Sequence, residues 1–387
     1  MNIPIAAIDV GSGMTKFVIT VVKLQADSKP IIDVLHQVEK PIPYGVDWKS
    51  SPEGCLSQNI QLEGLKLLRN INEIIAEWNE KNRSKYSDIT VIGVGTEVFR
   101  KAKNGEDFLK RIESEANIKI DMISQEKEAQ IGFRTGEAAL LTIDKDVLKN
   151  QFDYDHGSDL AVYDSGGGSF QITWADKTVK ESKPFDNGDK LKKILKPNGL
   201  APTLHDLLTL QNRKSGSSPN PVSLKTAMDL VDSLISKYID PRDIKQLKDE
   251  NYNTMFLSIG GINSHVRLAA DVIKRIEFET NVTNVDEDLE KTKDSKRDLK
   301  LNVTPLHFSF TEESVTKALE RICDKHDNEL EIFAYYDNAE PVSYMVPKLC
   351  ILLSVLKGYN ISKLNWILCC GSCFGLILDH CDKFNLS

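Results

Sequence analysis

The strongest constraint in this sequence is a short pattern that occurs twice. Each copy has an apolar strand, an aspartate, a glycine-rich turn and a second apolar strand. The first copy contains Asp9 and the second contains Asp164, about half a chain later. One copy in each half is what a duplicated two-domain fold would show. Two such hairpins facing each other across a cleft would hold a phosphate chain from both sides, which is a site for phosphoryl chemistry.

The two turns supply most of the residues expected to contact phosphate. A turn with glycine at several positions brings backbone N–H groups close to an anion, with no Cβ in the way. An aspartate at the end of the preceding strand is a ligand for Mg²⁺ or for a metal-bound water. The predicted phosphate-binding residues in and just after the turns are Gly11, Ser12, Gly13, Gly166, Gly167, Gly168, Ser169 and Gln171.

Strands and helices alternate along the chain, which predicts an α/β fold. The predicted strands are 3–8, 17–22, 89–94, 118–123, 160–163, 170–174, 255–259 and 365–369. The predicted helices are 63–78, 104–115, 127–140, 225–238, 262–275, 312–325 and 345–358. Residues 40–58 are predicted to be a loop.

The length of 387 residues suits two domains better than one core. We expect two α/β domains around a deep cleft. The predicted domains are 1–134, to which 376–387 could return, and 135–375, with loop insertions near 212–220 and 283–299.

Composition narrows the functional class. The formal net charge of −8 argues against broad, non-specific nucleic-acid binding, which needs a basic surface. No stretch of about 18 apolar residues is evident, so no membrane span is expected. The seven cysteines are odd in number and lack the spacing of a disulfide framework, which favours a reducing cytoplasm.

Four motifs together resemble the exopolyphosphatase / guanosine-pentaphosphate phosphohydrolase (Ppx/GppA) family of the actin-like ATPase and sugar kinase superfamily. They begin at Asp9, at Val94, at Ile123 and at Asp164, and their combined order and spacing are specific. The similarity is clear over residues 3–175 and weaker beyond. It implies that the two domains are actin-like (ribonuclease H-like) and lie around an interdomain cleft.

The resemblance implies Mg²⁺-dependent hydrolysis of terminal phosphoanhydride bonds in polyphosphate or guanosine pentaphosphate, and a homodimer as a reasonable assembly. It implies that Glu128 is the general base that activates water, and a carboxylate at a helix start suits that role. Asp9 and Asp164 would hold metal or position water. Arg100 and Asn104 match polar positions of the family motif and are predicted to bind phosphate, Arg100 as a clamp. Asn104 is also the predicted N-cap of the helix that ends near Glu115.

Departures from the family pattern leave three readings open. Gln171 replaces a glutamate after the second turn, and Lys127 replaces the first acid of a motif that ends Glu-Glu-Ala. The first reading is an active phosphatase with a shifted substrate. The second is a nucleotide-binding ATPase or kinase-like member, since Lys16 follows the first turn as a lysine follows the phosphate loop of actin, and it is predicted to bind phosphate. That reading needs an adenosine pocket, for which the pair Gly260-Gly261 is a weak candidate. The third is a catalytically weak regulatory relative, which Gln171 favours.

Overall fold

The computed structural model describes most of the chain. The described residues are 2–24, 30–141, 143, 145–152, 154, 159–166, 169–175, 191–196, 199–214, 216–250, 254–261, 264–282, 307–333 and 342–385. The predicted insertion at 283–299 and the turn residues Gly167 and Gly168 lie outside them.

Strands and helices alternate, and the predicted α/β class is confirmed. The strands are β1 (Asn2–Val10), β2 (Met14–Lys23), β3 (Ile31–Pro41), β4 (Thr90–Gly95), β5 (Asp121–Met122), β6 (Asp159–Ser165), β7 (Phe170–Ala175), β8 (Leu191–Lys196), β9 (Thr254–Gly260), β10 (His307–Phe310) and β11 (Leu364–Leu368). The helices are α1 (Tyr44–Ser50), α2 (Gln58–Asn82), α3 (Glu97–Lys101), α4 (Gly105–Ala116), α5 (Gln125–Leu140), α6 (Lys145–Phe152), α7 (Leu200–Leu210), α8 (Leu224–Tyr238), α9 (Pro241–Glu250), α10 (His265–Val282), α11 (Glu312–Ile322), α12 (Asp327–Leu330), α13 (Met345–Tyr359) and α14 (Cys373–Asn385).

The chain divides into two compact units. Unit 1 comprises Met1–Thr142, Val162–Pro197 and Cys369–Ser387, and unit 2 comprises Ile143–Ala161 and Asn198–Leu368. Unit 1 thus includes β7, β8 and the C-terminal helix, all outside the range 1–134 that the sequence suggested for the first domain. The domain boundaries drawn from sequence stay a prediction.

Unit 1 contains a five-stranded sheet in the order β3-β2-β1-β4-β5. Strand β1 is antiparallel to β2 and parallel to β4. Alternate side chains of a strand point to opposite faces. Ala6, Ile8 and Val10 pack with apolar residues of α2 and α4 on one face. Asp9 points to the other face, where α14 packs on β1 and β2. This arrangement places a charged residue at the end of an otherwise apolar strand.

Unit 1 also contains the second glycine-rich hairpin. Asp164 is near the end of β6, and the turn leads into β7. Strand β7 is antiparallel to β8, from Phe170 opposite Lys196 to Ala175 opposite Leu191. Both predicted hairpins are therefore formed, and both aspartates lie at strand ends.

Unit 2 is built around α13. Its strands β10, β11 and β9 lie in that order, with β11 antiparallel to β10 and parallel to β9. Helices α8, α10 and α11 pack against α13. Among the described residues, the segment Val342–Tyr359 alone is long and apolar enough to cross a membrane, and 78% of it is buried inside the protein. Such burial is what a core helix shows, so the segment is weak evidence for a membrane span.

Two local predictions are wrong. Residues 40–58 are not all loop, because β3 runs to Pro41 and α1 covers Tyr44–Ser50. The ring of Tyr44 is buried against Phe99 and Phe108, and this tertiary packing supports a short helix that its sequence does not reveal. The strand predicted at 118–123 shrinks to Asp121–Met122.

Candidate active site

The first glycine-rich turn joins β1 to β2. Asp9 and Lys16 are directly opposite each other on these strands. The N–H of Gly11 donates to the carbonyl oxygen of Met14 at 2.9 Å and closes the turn. The hairpin therefore holds a carboxylate and an ammonium side by side at its mouth.

The carbonyl groups of this turn fix the direction of its N–H groups. The Ser12 carbonyl accepts from the N–H of Gly45 at 2.7 Å, and the Gly13 carbonyl accepts from the N–H of Ile42 at 3.0 Å. In a trans peptide the C=O and N–H point in opposite directions. The N–H groups that follow these carbonyls therefore point away from the 42–45 segment. A Cβ added at Gly13 would have no atom within 4 Å, so this side of the turn is open.

The second turn repeats the hydrogen bond of the first. The N–H of Gly166 donates to the carbonyl of Ser169 at 2.9 Å, at the same offset from Asp164 as Gly11 has from Asp9. Gln171 then occupies the offset that Lys16 has in the first copy. Gln171 is buried, and its side-chain nitrogen lies 3.3 Å from the Ser169 hydroxyl. The repeat seen in the sequence is thus a repeat of backbone geometry.

Lys16 lies among carboxylates. Its Nζ is 3.9 Å from Asp9 Oδ2, and Glu39 is directly opposite it on β3. Burial acts to lower the pKa of Lys16, but the charges of Asp9, Glu39 and Asp164 together raise it above its ordinary value. Lys16 is therefore a permanent cation at the mouth of the first turn. Sequence reasoning missed Glu39 because β3 was not predicted.

Glu128 lies in the first turn of α5. The Ser124 hydroxyl accepts from the N–H of Lys127 at 3.1 Å and caps the helix. Arg100 of α3 donates to Glu128 Oε2 at 3.1 Å and to the Ile123 carbonyl at 2.6 Å. The guanidinium thus ties the carboxylate to the end of the preceding segment.

Burial raises the pKa of Glu128 to about 7. Arg100 works against this rise, and the negative charges of Asp164 and Asp9 add to it. A carboxylate with a pKa near neutrality is suited to accept and release a proton at physiological pH. The electrostatic influence of both aspartates shows that the three acids share one neighbourhood.

Asp164 is the second acid with a displaced pKa. Burial raises its pKa to about 6, Lys16 lowers it and Asp9 raises it. The structure therefore brings together Asp9, Lys16 and Asp164 from the two hairpins, with Glu128 and Arg100 beside them. Among the described residues, no group of three or more His, Cys, Asp or Glu side chains has metal-binding geometry.

A turn near the C-terminus covers Asp9 and Lys16. The N–H of Ser372 donates to Asp9 Oδ2 at 3.2 Å. Gly371 has φ +50°, and a Cβ there would lie 2.5 Å from Lys16 Nζ and 2.8 Å from Asp9 Oδ2. Only a glycine fits so close to both side chains. Sequence reasoning gave neither residue a role, although both lie in a glycine-containing segment after an apolar strand.

Asn104 is not brought to this group. Its side-chain oxygen accepts from the N–H of Leu56, and its nitrogen donates to the carbonyl of Leu56, both at 2.8 Å. Its side chain also makes no capping bond to α4. In this structure Asn104 holds the 51–57 loop, and its predicted contact with phosphate has no support from its position.

A family model and a curated relative each match part of the sequence. Residues 49–189 match the model of the Ppx/GppA phosphatase family. A curated relative, a bifunctional 3-dehydroquinate synthase/phosphatase of Fusobacterium nucleatum, is 25% identical over 178 residues, which are 46% of this chain and 24% of the relative. The chain thus spans about a quarter of that protein's length.

Solved structures of low sequence identity share the fold. A Ppx/GppA family member of Aquifex aeolicus aligns over 100% of both chains, with 18% identity and a TM-score of 0.62. An exopolyphosphatase of Cytophaga hutchinsonii aligns over 98% of both chains, with 15% identity and a TM-score of 0.62. The expected two-domain actin-like fold is therefore confirmed.

Proposed function

Because residues 49–189 match the model of the Ppx/GppA phosphatase family, we propose that this chain is a phosphatase of that family and hydrolyses the terminal phosphoanhydride bond of inorganic polyphosphate, of guanosine pentaphosphate, or of both. The observation that carries this proposal is the position of Glu128. It is a buried carboxylate with a pKa of about 7, held by Arg100 and influenced by the aspartates of both glycine-rich hairpins.

In this proposal Glu128 acts as the general base. Its carboxylate takes a proton from the water that attacks the terminal phosphorus, and the bond from that phosphorus to the bridging oxygen breaks. The shortened chain leaves with the bridging oxygen, and the released phosphate carries the water oxygen. Phosphoryl transfer needs little covalent help from the protein, so orientation of the water and neutralisation of charge supply most of the catalysis. The first turn of α5 fixes the direction of the carboxylate.

The phosphate oxygens would be held by backbone groups and two cations. The N–H groups on the open side of the first turn supply one set of donors. Lys16 is a point charge at the mouth of that turn. Arg100 donates one hydrogen bond to Glu128 and one to the Ile123 carbonyl. A guanidinium has five N–H donors, so further N–H groups could bind a phosphate oxygen.

Asp9 and Asp164 fit a hydrated Mg²⁺. Asp9 is buried and Asp164 is partly buried, and burial together with the negative charge of Asp9 raises the pKa of Asp164. A divalent cation relieves such repulsion between carboxylates. Magnesium commonly binds one or two protein carboxylates and keeps several waters. When bound, Mg²⁺ would neutralise charge on the phosphate chain. We propose these two aspartates as its protein ligands.

Nucleotide binding is the second candidate function, and Lys16 is the observation that favours it. Packing explains why residue 260 is a glycine, because a Cβ there would lie 2.7 Å from the Ser264 side chain. Gly260 therefore does not by itself indicate an adenosine pocket. ATP binding that Lys16→Ala weakens would support this candidate. The cytoplasmic location and the homodimer stay predictions.

The first test is phosphate release with Mg²⁺ from long-chain polyphosphate, guanosine pentaphosphate and ATP, for the parent and for Glu128→Gln. We expect release from at least one of the first two, and a loss of about a thousandfold in kcat in the variant, because the base is gone while the amide keeps its place beside Arg100. Substrate binding should survive.

The pH profile of the parent sharpens this test. Glu128 must be ionised to accept a proton, so kcat/KM should rise with pH through about 7 and this limb should vanish in Glu128→Gln. Release from ATP alone would favour the nucleotide reading. Binding without any release would favour a regulatory relative, and equal activity of the variant would remove Glu128 from the mechanism.

A further inference from the structure

Two ion pairs join the C-terminal helix α14 to α5. Lys127 Nζ lies 2.8 Å from Asp379 Oδ1 at the beginning of α5. Two turns further along α5, Arg134 pairs with Asp382. Ion pairs therefore join the two helices at two positions along their length, and the first position is next to Glu128.

Helix α14 also connects to the first hairpin. The turn that leads into it supplies the Ser372 N–H to Asp9. Further along, the N–H of Gly375 donates to the Thr135 hydroxyl of α5 at 2.9 Å. One rigid helix thus contacts the strand end that carries Asp9 and the helix that carries Glu128.

Lys127 and Glu128 are adjacent in sequence but point to different neighbours. Successive residues of an α-helix are about 100° apart around its axis. Lys127 reaches Asp379 on α14, and its Nζ also lies 3.1 Å from Gln130 Oε1 of α5, while Glu128 reaches Arg100 on α3. The first turn of α5 is therefore held from two sides. Lys127 stands where the family motif has an acid, and here that position supports the helix start.

We propose that the Lys127–Asp379 ion pair is a positioning link that holds the Glu128 carboxylate in place relative to Asp9. The inference rests on the proposed function, since it assumes that Glu128 is the base. A partly exposed ion pair contributes little to stability. A misplacement of about 1 Å at a reacting group can cost about a hundredfold in rate. Loss of the pair should therefore affect activity more than stability.

The experiment compares Asp379→Asn with Asp382→Asn in the full-length chain. Each variant removes one carboxylate from α14 that pairs with α5, and the two side chains are similarly exposed, at 27% and 22%. We expect Asp379→Asn to lower kcat about tenfold with little change in KM and to move the acid limb of the pH profile. Asp382→Asn should change thermal stability alone.

A charge reversal tests the pair itself. Lys127→Asp combined with Asp379→Lys should recover most of the lost kcat, because the ion pair forms again with its ends exchanged. Equal kcat values and pH profiles for Asp379→Asn and Asp382→Asn would overturn the proposal, and so would a failure of the reversed pair to recover activity in a folded protein.

A measurement that does not need activity separates this inference from the proposed function. The titration of the Glu128 carboxyl can be followed by ¹³C NMR and assigned by its absence in Glu128→Gln. We expect a higher midpoint in Asp379→Asn than in Asp382→Asn, because a loosened helix start weakens the Arg100 contact that lowers the pKa. Identical midpoints would overturn the positioning role. A parent without phosphatase activity would instead overturn the proposed function.

Discussion

The two glycine-rich hairpins share one backbone hydrogen bond but have different side chains at the same offset from their aspartates. In both, the N–H of the glycine two residues after the aspartate donates to a carbonyl three residues further on, at 2.9 Å. Seven residues after the aspartate, the first hairpin has Lys16 and the second has Gln171. One copy thus carries a cation where the other carries a neutral amide.

Under the proposed function, the two copies would divide the work of binding a phosphate chain. Lys16 is charged under all ordinary conditions and lies beside Asp9, so the first hairpin could neutralise phosphate. Gln171 is buried and contacts Ser169 in its own hairpin, so its amide supports the second turn. The positive charge would thus reside on one of the two hairpins.

The largest expected effect comes from making the first hairpin like the second. Lys16→Gln should lower kcat/KM for the proposed substrate about a hundredfold, because a charged donor aimed at the transferred phosphate is lost. Steady-state kinetics would measure this. The control is Lys23→Gln on the same strand, where Lys23 pairs with the exposed Asp33. Equal kinetics in the two variants would show that the hairpins are equivalent in charge.

An intermediate effect is expected at the turn that covers the first hairpin. Gly371→Ala should lower kcat about tenfold, since its Cβ would meet Lys16 Nζ and Asp9 Oδ2. Gly54→Ala is the matched control. Gly54 also has a positive φ, +68°, but its added Cβ would lie 3.9 Å from the nearest atom. Both variants should lose about 1 kcal/mol of stability from backbone strain. Equal activities would mean that Gly371 affects folding alone.

The smallest effect should follow from restoring the acid after the second turn. Gln171→Glu adds a carboxylate on β7, seven residues after Asp164, and we expect the Mg²⁺ concentration for half-maximal activity to fall about threefold. The shift of Tm with added Mg²⁺ gives the same information without activity. An unchanged Mg²⁺ dependence would show that the side chain at position 171 plays no part in metal binding.

The local elements of the site were predictable from the sequence, whereas the links between them were not. Asp9, Asp164 and Glu128 each follow a strand or begin a helix whose pattern is visible. Asp379 is 252 residues from Lys127, and no local sequence pattern predicts their contact. Pairs of this kind depend on how distant helices pack, which the periodicity of either helix alone does not determine.

For Asn104, the sequence suggested roles, and the structure gives its side chain different contacts. Its position before α4 and its place in the family motif both suggested a role, as a cap and as a phosphate ligand. The structure instead gives its amide two bonds to Leu56. A polar side chain beside a loop can satisfy backbone groups of that loop, and sequence alone does not distinguish this from binding.

The hydrogen bond from Ser372 to Asp9 has a consequence for the synthesis of the chain. Asp9 leaves the ribosome 363 residues before its donor. A nascent chain that has completed both glycine-rich hairpins still lacks the turn that covers Asp9 and Lys16. The site described above can therefore form only after translation has passed residue 372.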